Sequence, residues 1–261
     1  MAGPAIHSCH SRWRAVAIAV ALGLCAPLPA QAALIDDFNT GVLVISDGGL
    51  GFAAGVGIVG GEREMQSGVN TTGEFSSNKA GNGLLIMTFA SGPVAATFFD
   101  IVYDGADNSA LQDFTGLNGA DFTDGGTSDA IRVRLVESTI ALHVEITVQQ
   151  QVNGENWFLQ HTIDVGPVAA PTDVFFPFAD FTLSCSFCGT ASFSSIDWMK
   201  VRFFPVNATG APFQASVDFI QTQTMIPDGP RDVPAPPVLP LLAGGVVWLG
   251  IQRRLAKAPK A

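Results

Sequence analysis

Basic residues are scarce in this sequence, and so is charge as a whole. Charged residues make up 14% of the 261 residues, with 13 Lys and Arg against 23 Asp and Glu, so the formal net charge at pH 7 is −10. All of the acidic residues and only seven of the basic ones lie between residues 33 and 232. Nucleic-acid phosphates require a basic surface. The composition therefore argues against nucleic acid as a partner and is typical of an extracellular surface.

The common motifs of nucleophilic and phosphate chemistry are also missing. No G-x-S-x-G motif occurs, and the glycine-rich stretch 48–61 lacks the Lys and Ser/Thr of a phosphate-binding loop. Only two histidines, His143 and His161, lie in the central part of the chain. We therefore predict that the protein is not an enzyme. A secreted hydrolase is the alternative, and it would need converging His or carboxylate side chains.

The first 32 residues have the pattern of a secretory signal peptide. Arg12 and Arg14 precede an apolar stretch at residues 15–25, and Ala30-Gln31-Ala32 is a cleavage site of the A-x-A type. The apolar stretch is too short for a membrane span. We expect a signal helix that signal peptidase removes, so that the mature chain begins near Ala33 and works outside the cytoplasm.

Residues 229–261 have a proline motif, a short apolar stretch and a basic end, in that order. The residues that define these parts are Val233, Pro234, Ala235 and Pro236 in the motif, Trp248 in the apolar stretch, and Arg253 and Arg254 in the basic end. The apolar stretch 238–251 would form a helix of about 21 Å, shorter than a hydrocarbon core of about 30 Å. Basic residues after a span stay on the cytoplasmic side. The tail is therefore predicted to hold the body of the protein outside the membrane.

This tail resembles the PEP-CTERM sorting signal of Gram-negative bacteria. The resemblance covers residues 233–261 and implies processing by an exosortase-like membrane protease, with a link to exopolysaccharide and biofilm. The family usually has Pro-Glu-Pro where this chain has Pro234-Ala235-Pro236. A single-span membrane anchor, kept rather than cleaved, is the alternative interpretation.

Short β-type runs separated by Gly, Asp and Asn fill the central part, and long helical periodicity is absent. The predicted strands cover residues 34–38, 42–46, 63–67, 84–89, 95–103, 130–136, 140–149, 157–165, 174–178, 198–204 and 215–222. Apolar and polar residues alternate in 131–135 and 142–148, as in half-buried antiparallel strands. Asn153-Gly154 predicts a hairpin turn. The sequence thus predicts one all-β, antiparallel β-sandwich domain at residues 33–228.

Four short motifs in this domain resemble the galactose-binding-like jelly roll of carbohydrate-binding modules. They begin at Ile35, Phe176, Ile196 and Ala215. The resemblance implies that the first and last strands pair, and that a carbohydrate-binding module for extracellular polysaccharide is an alternative function. Exposed aromatic platforms would serve such a function. Trp157 and Trp198 are the main candidate ligand-binding residues, and Tyr103 is a further candidate. Aromatic residues in a sandwich nevertheless more often belong to the core.

Three further groups of residues could carry chemistry. Cys185 and Cys188 form a C-x-x-C pair, which in an exported chain predicts a structural disulfide rather than a metal or redox site. Residues 100–129 are dense in Asp, Asn and Gly, and here Asp104 and Asp107 are the candidate ligands of a structural calcium ion, with solvated turns as the alternative. The segment Glu62-Arg63-Glu64 is expected to form surface ion pairs. We predict an exported, non-catalytic surface or extracellular-matrix protein.

Overall fold

The computed structural model describes residues 32–46, 48–68, 73–89, 97–183, 192–206 and 212–225. The chain divides into two units, Met1–Met225 and Ile226–Ala261, and all described residues belong to the first. Residues 1–31 of the predicted signal peptide, the sorting tail and the Cys185/Cys188 pair lie outside the described residues. In the described part of the chain, no helix is long and apolar enough to cross a membrane.

The described residues form fourteen strands in two antiparallel sheets, which confirms the predicted all-β sandwich. Sheet I has the order β11-β8-β14-β6-β5-β2, with β1 also paired to β14, and sheet II has the order β12-β10-β9-β13-β7-β4-β3. The strands of sheet I are β1 (Leu34–Asp36), β2 (Leu43–Ser46), β5 (Gly73–Ser77), β6 (Leu85–Phe89), β8 (Ala130–Ser138), β11 (Thr172–Pro177) and β14 (Phe213–Gln223). Those of sheet II are β3 (Leu50–Ala54), β4 (Glu62–Ser67), β7 (Phe99–Tyr103), β9 (Leu142–Val152), β10 (Glu155–Val165), β12 (Thr182–Leu183) and β13 (Trp198–Pro205). Two short 3-10 helices span Val59–Gly61 and Phe178–Asp180.

Each of the eleven predicted strands is present, with shifted ends. Three strands were not predicted: β3, β5 and β12. Their sequences, LGFAA, GEFSS and TL, are short or rich in small residues, so they lack the β-branched and aromatic alternation that marks a strand. Pairing with neighbouring strands makes them strands, which a local pattern does not show.

The core lies between the two sheets and is built from alternate residues of each strand. Ile131, Val133 and Leu135 of β8 are buried, whereas Arg132 and Arg134 between them face outward. Phenylalanine rings from both sheets meet in this layer, with centroid separations from 4.8 to 6.4 Å. These rings belong to Phe75, Phe89, Phe99 and Phe213. Burial of alternate side chains therefore sets which face of each sheet is left for solvent.

Two predicted connections are confirmed. Strand β1 pairs with β14, the last strand, with Asp36 opposite Ile220. Asn153 and Gly154 form a two-residue hairpin loop between β9 and β10, where Val152 lies opposite Glu155. Both loop residues have positive φ, 54° and 84°, which Asn and Gly adopt at low cost.

A long connection between β7 and β8 runs over one end of sheet II. It lies beside the segment before β13, because the backbone N–H of Leu117 donates to the carbonyl of Asp197 at 3.0 Å and Ala120 bridges to Ile196. The start of the connection is packed so closely that a Cβ on Gly116 would lie 1.3 Å from the carbonyl oxygen of Asp104. Only glycine fits at this position without a shift of the backbone.

Candidate functional site

The outward face of sheet II carries two rows of side chains that cross most of the sheet. The first row consists of Gln66, Asp100, Arg202, Glu145 and Thr162. The second row consists of Glu64, Val102, Lys200, Thr147, Gln160 and Thr182. We call these two rows the polar face. The first row crosses five strands that lie about 4.8 Å apart, so it is about 19 Å long.

Hydrogen bonds between neighbouring strands hold the side chains of the polar face in place. Arg202 donates from Nε and Nη2 to the two carboxylate oxygens of Asp100, at 2.7 Å each. Gln160 Nε2 donates to Glu145 Oε2 at 2.5 Å. The hydrogen-bonded Asp100 carboxylate raises the pKa of Arg202 above its ordinary value. Burial and the nearby Arg202 charge lower the pKa of Lys200. The face therefore presents oriented donors and acceptors rather than loose surface chains.

Aromatic rings border the polar face. The guanidinium of Arg202 lies 4.5 Å from the ring centroid of Phe98, and the rings of His143 and Phe204 lie 4.6 Å apart. Lys200 Nζ lies 5.8 Å from the ring of Trp198. Cations over ring faces are attracted by the ring quadrupole, which fixes their positions further.

The connection between β7 and β8 forms a wall at one end of this face. Phe114 from that connection packs against Trp198 and Phe158, with ring centroids 5.3 and 5.8 Å apart. A pocket of about 310 Å³ opens beside the wall, between the sheet residues Glu64 and Gln66 and the loop residue Leu111. Leu111 is 75% exposed. The polar face is thus a groove with one raised end.

The predicted aromatic ligand residues do not form open platforms. Trp198 lies on the outward face but is only 3% exposed, because Phe114 and Phe158 cover it. Trp157 is partly buried at the start of β10, and Tyr103 is fully buried. The prediction that these rings meet a sugar is therefore not supported by their exposure. The exposed side chains on this face are polar ones that no sequence motif indicates, such as Gln160 and Thr162.

An acidic cluster lies where the wall meets strand β4. One carboxylate oxygen from each of Glu62, Glu64 and Asp107 lies within 4.8 Å of the others. The backbone N–H of Asn108 donates to Glu62 Oε2 at 3.1 Å, which fastens the loop to the strand. Asp104, the other predicted ligand, is buried nearby and accepts a hydrogen bond from the Asp113 N–H at 2.7 Å. The structure therefore brings Asp107 together with two glutamates that were not predicted as ligands, and Asp104 lies nearby.

Burial and mutual repulsion perturb these carboxyl groups. Burial raises the pKa of Glu64 to about 8, helped by the charges of Asp104, Asp107 and Glu62. Burial, with Asp107 and other acidic neighbours, raises the pKa of Asp104 to about 6, against the Asp113 hydrogen bond. Burial also raises the pKa of Glu62. Several carboxylates in one buried place favour the protonated form or a bound cation.

The prediction of surface ion pairs at Glu62-Arg63-Glu64 is wrong. All three residues are buried, with exposures of 0%, 0% and 1%. Strand alternation turns Arg63 inward and the two glutamates outward, beneath the β7–β8 loop. Arg63 Nη1 contacts both Asp36 carboxylate oxygens, at 2.6 and 2.7 Å, and its Nη2 donates to the Thr40 and Gly41 carbonyls. The arginine is thus a buried cation in a cage of oxygen atoms.

One sequence signal could have located the glutamates. Residues i and i+2 of a strand lie on the same face, so Glu64 in the predicted strand 63–67 and Glu62 just before it would point the same way if the strand began one residue earlier. Their nearness to Asp107 depends on β4 lying next to β7, with Glu64 opposite Val102. That pairing joins residues about forty positions apart, and no local pattern indicates it.

No family model and no curated protein matches this chain. Solved structures with some similarity include a family 11 carbohydrate-binding module from Clostridium thermocellum in complex with a β-1,3-1,4-mixed-linked tetrasaccharide, at 15% identity and TM-score 0.38, covering 72% of this chain and 98% of the module. The family 11 module of the Clostridium thermocellum cellulase Lic26A-Cel5E has 13% identity and TM-score 0.40, covering 78% and 100%. The family 30 module of the cellulase Cel9D-Cel44B from the same organism has 12% identity and TM-score 0.35, covering 71% and 99%. Similarities of this size do not identify a ligand.

Proposed function

We propose that the sandwich is a non-catalytic module of an exported protein and that its polar face binds a neutral, hydroxyl-rich polysaccharide. The observation that supports this most directly is the first row of the polar face, in which amide, guanidinium, carboxylate and hydroxyl groups follow one another across five strands. Sugar hydroxyls both donate and accept hydrogen bonds. A row that offers both roles along about 19 Å suits a chain of several sugars.

The charge of the face favours a neutral polymer over an anionic one. Arg202 is neutralised by Asp100, and Glu145 adds further negative charge near Lys200. An anionic glycan would meet repulsion here, whereas a neutral glycan exchanges water hydrogen bonds for hydrogen bonds to fixed groups. Part of the face is exposed, including Gln160 and Thr162, so a ligand could approach without an opening movement.

Native affinity electrophoresis of the full chain in a mild detergent tests this proposal. Gels would contain mixed-linkage β-glucan or xylan as neutral probes, and alginate as the anionic probe. We expect retardation by at least one neutral polymer and none by alginate. Retardation by alginate alone, or by no polymer, would overturn the proposal.

Two matched variants place the binding on sheet II. Gln160→Ala removes an exposed amide of the polar face, and Gln214→Ala removes an exposed amide on β14 of sheet I. Each amide donates to a glutamate of a neighbouring strand at 2.5 Å, so the two changes are alike in structure. We expect Gln160→Ala to weaken retardation about tenfold, as for the loss of one well-placed hydrogen bond. Equal effects of both variants would argue against this face.

We also propose that the module is held at the cell surface or in the extracellular matrix by the sorting tail. The support is the three-part pattern of the tail and the signal peptide pattern at the other end. The intact mass of the protein from its native host tests this. A mass that matches a start at Ala33 and an end near Val233 would support processing of both ends. A mass that reaches Ala261 would show that the tail is kept and that the protein is membrane-anchored.

A further inference from the structure

We propose that Glu62, Glu64 and Asp107 bind a calcium ion that fastens the β7–β8 loop to strand β4. One carboxylate oxygen of each lies within 4.8 Å of the other two, a spacing at which a single ion can contact all three. Two of the ligands come from one face of a strand, and the third comes from the loop that lies over it. This cation site uses one residue of the polar face, the buried Glu64, and its other two ligands lie outside that face.

The two glutamates are buried, and each has a carboxylate oxygen without a hydrogen-bond partner among the described residues, as suits a metal ligand. Glu62 is 0% exposed and Glu64 is 1% exposed. Within the described part of the chain, Oε1 of each glutamate has no hydrogen-bond partner, and neither residue takes part in a salt bridge. A buried charge is costly unless it is paired or bound to a metal. Solvated turn residues would instead point into water.

The nearest buried cation does not neutralise the cluster. Arg63 lies between the two glutamates in sequence but on the other face of β4, where it pairs with Asp36. Asp104 adds a further buried carboxylate, and its Oδ1 also has no partner among the described residues. The cluster is therefore rich in oxygen atoms and poor in positive charge, which is the environment that a hard cation prefers.

The geometry favours calcium over magnesium. Calcium accepts six to eight oxygens in irregular arrangements, whereas magnesium needs a near-ideal octahedron and keeps several waters. Three carboxylates from a strand and a loop form an irregular set, and Asp107 is exposed, which leaves room for waters to complete the coordination. Such a site would hold the wall of the groove in place.

The probe is calcium itself, and magnesium is the comparison in the unfolding experiment. The full chain, stripped with EDTA and kept in a mild detergent, is analysed by equilibrium dialysis with radioactive calcium and by thermal unfolding with calcium or magnesium. We expect one calcium ion per chain and a rise in Tm of about 5–10 °C once calcium exceeds the dissociation constant a hundredfold. Magnesium should give a smaller rise. Absence of binding at 5 mM calcium, a concentration of about the extracellular range, would overturn the proposal.

Variants identify the ligands. Glu64→Gln and Asp107→Asn each remove one carboxylate, and Asp107→Asn changes an exposed side chain, so the fold should tolerate it. We expect each variant to lose at least tenfold in calcium affinity and most of the rise in Tm. The control Glu155→Gln makes the same change on the exposed β9–β10 hairpin and should leave both unchanged. If Glu64→Gln and Asp107→Asn bind calcium as tightly as the parent chain, the proposed site is wrong, even if calcium binds elsewhere on the protein.

Discussion

Replacing Arg63 with alanine tests whether a buried ion pair holds the first strand against the rest of the sandwich. The side chain is 0% exposed and joins β4 of sheet II to Asp36 at the end of β1 in sheet I. Its guanidinium also donates to the carbonyls of Thr40 and Gly41 and lies 5.3 Å from the ring of Phe38. One side chain thereby satisfies acceptors that the fold has removed from water.

The expected loss comes from the groups that the substitution leaves without a partner. Among the described residues, Asp36 would keep only the Phe38 N–H at 2.8 Å and the Tyr103 hydroxyl at 3.1 Å as donors. Burial already raises the pKa of Asp36, and Arg63 is the main influence opposing that rise. Removing one partner of a buried ion pair costs about 3–5 kcal/mol, which for a domain of this size lowers Tm by about 10–15 °C.

Urea unfolding followed by circular dichroism gives the free energy of unfolding of each variant. Arg134→Ala is the matched control, because Arg134 is 35% exposed and its contacts to Asp173 and Asp218 are long, 3.8 and 3.7 Å. We expect the control to lose less than about 1 kcal/mol. The double variant Asp36→Asn, Arg63→Met removes both charges and should recover part of the loss.

Two results would refute this reasoning. A loss below about 1 kcal/mol for Arg63→Ala would mean that the ion pair is not buried as described. A double variant that is less stable than Arg63→Ala would mean that the unpaired carboxylate is not what makes the single variant unstable.

Two further predictions concern the acidic cluster and its loop. A raised pKa means that the folded state binds more protons, so without calcium the stability that Glu64 and Asp104 contribute is present at low pH and is lost as pH rises from about 4 to 8. In urea unfolding with EDTA, the free energy of unfolding of Glu64→Gln should therefore increase relative to that of the parent chain over this pH range, by on the order of 4 kcal/mol at most. An equal pH dependence of the two proteins would contradict this prediction. Gly116→Ala would place a Cβ 1.3 Å from the Asp104 carbonyl, so we expect a loss above about 2 kcal/mol and faster protease cleavage within residues 104–129. Gly166→Ala is its control, since a Cβ there meets nothing within 4 Å, and equal stability of the two variants would show that the loop yields easily.

Local sequence patterns were enough to predict most of the sandwich. Alternation in β8 and β9 identified strands with one buried face, because side chains of a strand point to opposite faces in turn. Asn153-Gly154 identified a hairpin, because these residues adopt positive φ at low cost. Strands such as β5, with the sequence GEFSS, escaped prediction because their partners, and not their own residues, make them strands.

The candidate sites depended on pairings between distant parts of the chain. The sequence placed Asp104 and Asp107 in an acidic loop, but only the β4–β7 pairing set Asp107 beside Glu62 and Glu64. By contrast, composition alone determined that the protein is acidic and carries few basic residues. Whether Arg63 faces water or Asp36 was decided by which face of β4 packs against sheet I, because burial is a property of the assembled sheets and not of a single strand.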